Sequence, residues 1–81
     1  MITTDEVAGL VRQQLRNKVP AGVELLDDTK LENLGLSSLQ ISDIVFTLEE
    51  RHDFEFDADR AADASTIGEI VALANETVAA R

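Results

Sequence analysis

The sequence predicts an all-α fold: a small antiparallel helical bundle of three main helices plus one short helix, with a long loop between helices one and two. Three observations carry that prediction. Helix-start signatures stand at Thr3, Ser37 and Thr66, each followed by apolar residues at helical spacing. The one stretch that alternates like a strand, Phe54-Glu55-Phe56, has no second strand to pair with, and an isolated extended piece leaves backbone groups unsatisfied. The chain is 81 residues long, 44% hydrophobic and free of cysteine. It is therefore read as one domain, 1–81, whose core comes from helix packing without staples.

Helix one is announced by Thr3 and Glu6 in capping-box register, with Ile2 and Val7 placed as a hydrophobic staple. Val7, Leu10, Val11, Gln14 and Leu15 share one stripe, and the helix is expected over about residues 4–17. Pro20 and Gly22 stop it. Residues 18–36 form a long connection, polar at Asp27, Asp28, Thr29 and Asn33, with Val23, Leu25, Leu31 and Leu34 spaced as anchors onto the core. Connections this long in compact domains tend to be functional.

Helix two opens with Ser37-Ser38-Leu39-Gln40, a capping box with Ser37 as the cap and Gln40 reaching back, stapled by Leu36 and Ile41. Its buried stripe is read as Ile41, Ile44, Val45 and Leu48, with Ser42, Asp43, Glu49 and Glu50 outside and Phe46 off the centre, partly exposed. The helix fades near His52-Asp53. Phe54 and Phe56 are expected to enter the core from an irregular turn, before a short helical turn started by Asp57. Thr66-Ile67-Gly68-Glu69 reads as a further capping box, opening a helix striped by Ile67, Ile70, Val71, Ala74 and Val78.

Composition excludes several functions. A net charge of −9 repels nucleic-acid phosphates and anionic membrane surfaces. The charge is uneven. Residues 1–23 set Arg12, Arg16 and Lys18 against Asp5 and Glu6, while residues 49–59 set six acids against Arg51. No run of 18 apolar residues spans a membrane. The start of the chain lacks a secretory signal, so a cytoplasmic monomer is expected. Catalysis lacks an inventory: His52 is the sole histidine, and Glu49 and Glu50 are neighbours pointing apart. Nor does 57–68 make a calcium loop, because Ala61, Ala62 and Gly68 stand where a ligand, a glycine and a glutamate are needed. No metal site is expected.

What remains is the serine at the mouth of helix two. With Ser37 as the cap, Ser38 is the first helical residue, just past a glycine turn at Gly35. Free backbone N–H groups at a helix start favour an anion, including a covalently attached phosphate. Serines that merely cap helices are far commoner, so position alone decides nothing.

The run Leu31-Glu32-Asn33-Leu34-Gly35-Leu36-Ser37-Ser38-Leu39 resembles the attachment motif of acyl and peptidyl carrier proteins, in which Leu-Gly precedes an Asp-Ser-Leu triplet. Leu48-Glu49-Glu50 and Thr66-Ile67-Gly68-Glu69 continue the likeness along essentially the whole chain. The resemblance implies that Ser38 accepts 4′-phosphopantetheine from coenzyme A through a phosphopantetheinyl transferase. The arm's thiol would then hold acyl groups as thioesters, and the chain itself would be a non-catalytic carrier. It also implies acyl-loading and acyl-processing partners with basic patches, for which Asp43, Glu49 and Glu50 are the candidate docking residues. The chain departs from the pattern at Ser37, usually aspartate, and at His52, usually aromatic or apolar. An Ala-, Asp- and Arg-rich composition holding two lysines suggests a GC-rich bacterial genome, and Ser37, with no flanking domain expected, leans towards a discrete carrier of polyketide or other specialised metabolism. Fatty-acid synthesis and aminoacyl or peptidyl carriage remain open, as does an unmodified helical interaction module.

Overall fold

The computed structural model describes residues 1–16, 18 and 24–80. Four helices follow in order: α1 (Thr4–Gln14), α2 (Ser38–His52), α3 (Ala58–Asp63) and α4 (Ile67–Ala79), with a 3₁₀ turn at Leu31–Leu34 before α2. Among the described residues there is no strand, only an isolated bridge between Lys30 and Thr66. Among the described residues no helix is long and apolar enough to cross a membrane.

Each helix starts where its cap dictates. Thr3, Ser37 and Thr66 each accept the backbone N–H three residues on, and Asp57 accepts from Asp59 and Arg60. The box at Ser37 is reciprocal, since the Gln40 carboxamide oxygen returns to the Ser37 N–H at 2.9 Å. The boxes expected at Thr3 and Thr66 are half-formed. Glu6 turns away to His52, and Glu69 takes the N–H of Ser65 at 2.7 Å instead of the cap's own. Helix α1 also stops at Gln14, short of the expected end near residue 17, because Arg16 takes a left-handed φ of 54° and its N–H bonds back to Gln13. Asn17, Pro20, Gly22 and Val23, used above for that end and for the loop anchors, lie outside the described residues.

The core is built from Ile2, Val7, Leu10 and Val11 of the first segment, Leu31 and Leu34 of the 3₁₀ turn, Ile44 and Leu48 of α2, Phe54 and Phe56, and Ile67, Ile70, Leu73 and Ala74 of α4. The two phenylalanine rings tilt against each other at 4.9 Å, as the turn reading required. Helix α1 runs antiparallel to α2: Glu6, at its start, meets His52, and the Gln14 carbonyl, at its end, accepts from the Gln40 side chain at 3.1 Å. Asn75 holds the beginning of the chain on α4 by a two-way bond with the backbone of Ile2, both at 2.8 Å.

The long connection is tied to the start of α4. Leu31 donates to Ser65, Ile67 to Thr29 and Gly68 to Asp27, at 2.9, 3.1 and 2.8 Å. Thr4 donates to the Asp27 carboxylate, which joins α1 to the same junction. A Cβ at Gly68 would stand 2.7 Å from the Asp27 carbonyl oxygen, so only glycine permits this approach.

Candidate functional site

Ser38 is exposed and is the first residue of α2. Gly35, at a left-handed φ of 73°, ends the 3₁₀ turn and turns the chain into the helix start. The buried Leu31 and Leu34 hold that turn on the core. The position of Ser38 therefore follows from packing on one side and from the Ser37–Gln40 box on the other. N–H groups in the first turn of a helix lack intrahelical acceptors, and they lie behind the serine hydroxyl.

From Ser38 a half-open groove of about 500 Å³ runs between α2 and α3. Ile41, Val45 and Phe46 line one wall and Ala58, Ala61 and Ala62 the other, with Ser42 and Glu49 supplying polar atoms. This corrects the expected stripe of α2. Ile44 and Leu48 are buried, whereas Ile41 and Val45 are only half-buried, because the alanine side of α3 does not reach far enough to cover them.

The three candidate docking residues have different surroundings. Asp43 and Glu50 are exposed. Glu49, expected outside, is half-buried, and its carboxylate accepts the Phe56 N–H at 2.8 Å. It thereby helps fix the turn that delivers both rings to the core. His52 is neither free nor apolar in role. Its Nε2 lies 2.8 Å from the Glu6 carboxylate, with Arg51 3.7 Å from the same group, so a hydrogen bond and an ion pair tie α2 to α1. Among the described residues no group of three potential ligands could hold a metal ion.

Leu39, which the stripe analysis passed over, is 73% exposed, and Phe46, one heptad on, is 59% exposed. Seven residues is nearly two turns, so both stand on one outer ridge with Ser42 and Asp43 between them. The signal was present in the sequence: Leu39 and Phe46 both lie off the Ile44–Leu48 line.

Comparison with known proteins agrees with this geometry. Residues 5–74 match the family described as the phosphopantetheine attachment site. An acyl carrier protein of Sulfurovum sp. is 36% identical over 72 residues, covering 88% of this chain and 92% of its own. A chloroplastic acyl carrier protein 3 of Hordeum vulgare is 32% identical over 79 residues, 98% of this chain; the chain spans 58% of that relative's length. The solution structure of the acetyl actinorhodin acyl carrier protein from Streptomyces coelicolor superposes with a TM-score of 0.79 at 24% identity, covering 98% of this chain and 93% of the other, and so shares the fold. The family's prosthetic group suits the place: an exposed hydroxyl, helix-start donors behind it and an apolar groove beside it. On the match across residues 5–74 and the likeness to full-length relatives, the chain belongs to the phosphopantetheine-attachment family of acyl carrier proteins, which bear covalent 4′-phosphopantetheine.

Proposed function

We propose that this chain is a monomeric, cytoplasmic acyl carrier whose arm is attached at Ser38. The carrying observation is that the serine in family register lines the end of the groove at the mouth of α2, while the neighbouring Ser37 uses its hydroxyl to cap the helix. The attached group supplies a thiol that holds the cargo as a thioester. The chain's own residues do the rest. The Ser38 hydroxyl offers the attachment oxygen, and the α2 start favours the phosphate's charge. The half-open α2–α3 groove gives an apolar cargo a place to lie out of water. None of these residues breaks a bond in the cargo.

Its partners on this reading are a phosphopantetheinyl transferase and the enzymes that load and process the cargo, approaching with basic patches. Asp43 and Glu50 are free to meet such patches, with Leu39 and Phe46 as apolar contacts beside them. Weak, electrostatically steered contacts suit a carrier that visits several enzymes in turn. Ser37 favours a carrier of polyketide or related specialised metabolism over fatty-acid synthesis or aminoacyl carriage.

Intact mass after co-expression with a broad-specificity transferase tests the assignment. The wild-type chain and Ser37→Ala gain the phosphopantetheinyl mass, and Ser38→Ala does not. Modification persisting in Ser38→Ala would place the arm elsewhere. A wild-type chain that never gains the mass would instead be an unmodified interaction module.

A further inference from the structure

The helix that forms one wall of the groove is weakly held. Helix α3 has six residues and buries none of them. Ala61 and Ala64 rest half-buried on the core, and Asp57 caps the helix locally. Open space lies on both sides. The α2–α3 groove occupies one, and a hollow of about 380 Å³, lined by Asp63, Ala72 and Leu73 among others, separates α3 from α4 on the other. Across that second hollow Arg60 donates from both terminal nitrogens to the two carboxylate oxygens of Glu76, each at 2.9 Å. A bidentate guanidinium–carboxylate fork fixes orientation as well as distance. Arg60 sits on the α4 side of α3 while Ala58, Ala61 and Ala62 sit on the groove side, so the fork draws α3 towards α4.

We infer that the Arg60–Glu76 pair sets the width of the groove beside Ser38, with α3 as a movable wall and the two side chains as positioning residues. Release of the fork frees α3 to shift between its two hollows. The groove then varies in width, whereas the fastened state draws α3 away from α2 and holds the groove open to cargo. This inference rests on the reading of the groove as the seat of the Ser38-borne cargo, but its test does not require the arm.

Amide hydrogen exchange of the full unmodified chain, followed by NMR, reads α3 directly. In Glu76→Gln the amides of Ala61 and Ala64 exchange roughly two- to five-fold faster, the span expected for losing an exposed ion pair that governs a local opening. Amides of α1, α2 and α4 keep their wild-type rates. The exchanged pair Arg60→Glu/Glu76→Arg restores α3 protection. The absence of cysteine allows spin labels at Asp43→Cys on α2 and Asp59→Cys on α3. Their distance distribution broadens in Glu76→Gln and narrows again in the exchanged pair. Unchanged α3 exchange, equal acceleration in all four helices, or no recovery in the exchanged pair overturns the inference. Each of these outcomes is independent of whether Ser38 is ever modified.

Discussion

The α1–α4 half and the α2–α3 half of this bundle are built to different standards. Helices α1 and α4 bury eight residues between them, Val7, Ala8, Leu10 and Val11 on one and Ile67, Ile70, Leu73 and Ala74 on the other. Their ends are fastened further, by Asn75 to Ile2 and by the Asp27 junction to both Thr4 and Gly68. Helix α2 buries only Ile44 and Leu48, and α3 buries nothing. A carrier needs both standards. One half gives the bundle a fixed frame, and the other stays open enough, on the proposed attachment at Ser38, to take a tethered cargo. The division follows residue size: large branched side chains interlock in the closed half, and alanines leave space in the open half.

The largest expected effect breaks α2 where it belongs to the closed half. Leu48 is fully buried, so Leu48→Ala should cost about 2–5 kcal/mol in chemical denaturation. Phe46→Ala, a larger truncation two residues away, should stay within about 0.5 kcal/mol because its ring is 59% exposed. Equal losses would abolish the distinction between the two faces of α2.

Next comes the junction under α4. Gly68→Ala drives a Cβ against the Asp27 backbone, at 2.7 Å from its oxygen, and should cost about 1–3 kcal/mol. The contrasting variant is Gly9→Ala in the interior of α1, where a Cβ meets nothing within 4 Å. It should gain about 0.5–1 kcal/mol through helix propensity. Thermal and denaturant midpoints of the two variants should therefore move in opposite directions.

Asp43 and Glu49 sharpen the comparison along α2. Glu49→Lys strands the Phe56 N–H and should cost about 1–3 kcal/mol, while Asp43→Lys should leave stability within about 0.5 kcal/mol. On the docking reading both slow transfer by a cognate transferase, chiefly through association, and the Asp43→Lys defect shrinks as salt screens it. A rate unaffected by Asp43→Lys would leave solvation as that residue's role.

The smallest effect concerns acid. The hydrogen bond and charge of Arg60 hold the Glu76 carboxyl below its ordinary 4.5, and Glu76 in turn raises the Arg60 guanidinium further above its ordinary value. For a carboxylate with a lowered folded value, the contribution is complete above 4.5 and fades as pH falls through the lowered value. Arg60 stays protonated throughout that range. An NMR titration should place the Glu76 midpoint below 4.5 in the wild type and return it towards 4.5 in Arg60→Gln. Protection of α3 amides should fall in the same acid window, with α1 and α4 unmoved.

What the sequence made legible was local. Caps at Thr3, Ser37, Asp57 and Thr66, the ends of α2, the inward phenylalanines and the exposure of Ser38 all follow from interactions within a few residues. What escaped it depends on distant partners. Glu6 fits a capping box by spacing yet bonds to His52, 46 residues away. Glu49 reads as an outer acid yet serves Phe56, and the fork between Arg60 and Glu76 spans two helices. Ile41 and Val45 carry the periodicity of buried residues, and only the placement of α3 decides that they line a groove. Periodicity reports which way a side chain points and is silent on whether anything arrives to cover it.

The antiparallel pairing of α1 with α2 has a consequence for how this molecule is handled. Because Gln14 meets Gln40, the end of α1 that carries Arg12 and Arg16 lies at the Ser38 end of the bundle. The acid-rich segment 49–59 begins towards the opposite end of α2, about 16 Å away at 1.5 Å per residue. The two ends are thus separated by one stretch of helix of known length. If Ser38 bears the arm as proposed, an enzyme that bound the acidic end would find the attachment oxygen at a set reach. Arg12 and Arg16 place positive charge near the Ser38 end, so the two ends of the bundle differ in sign.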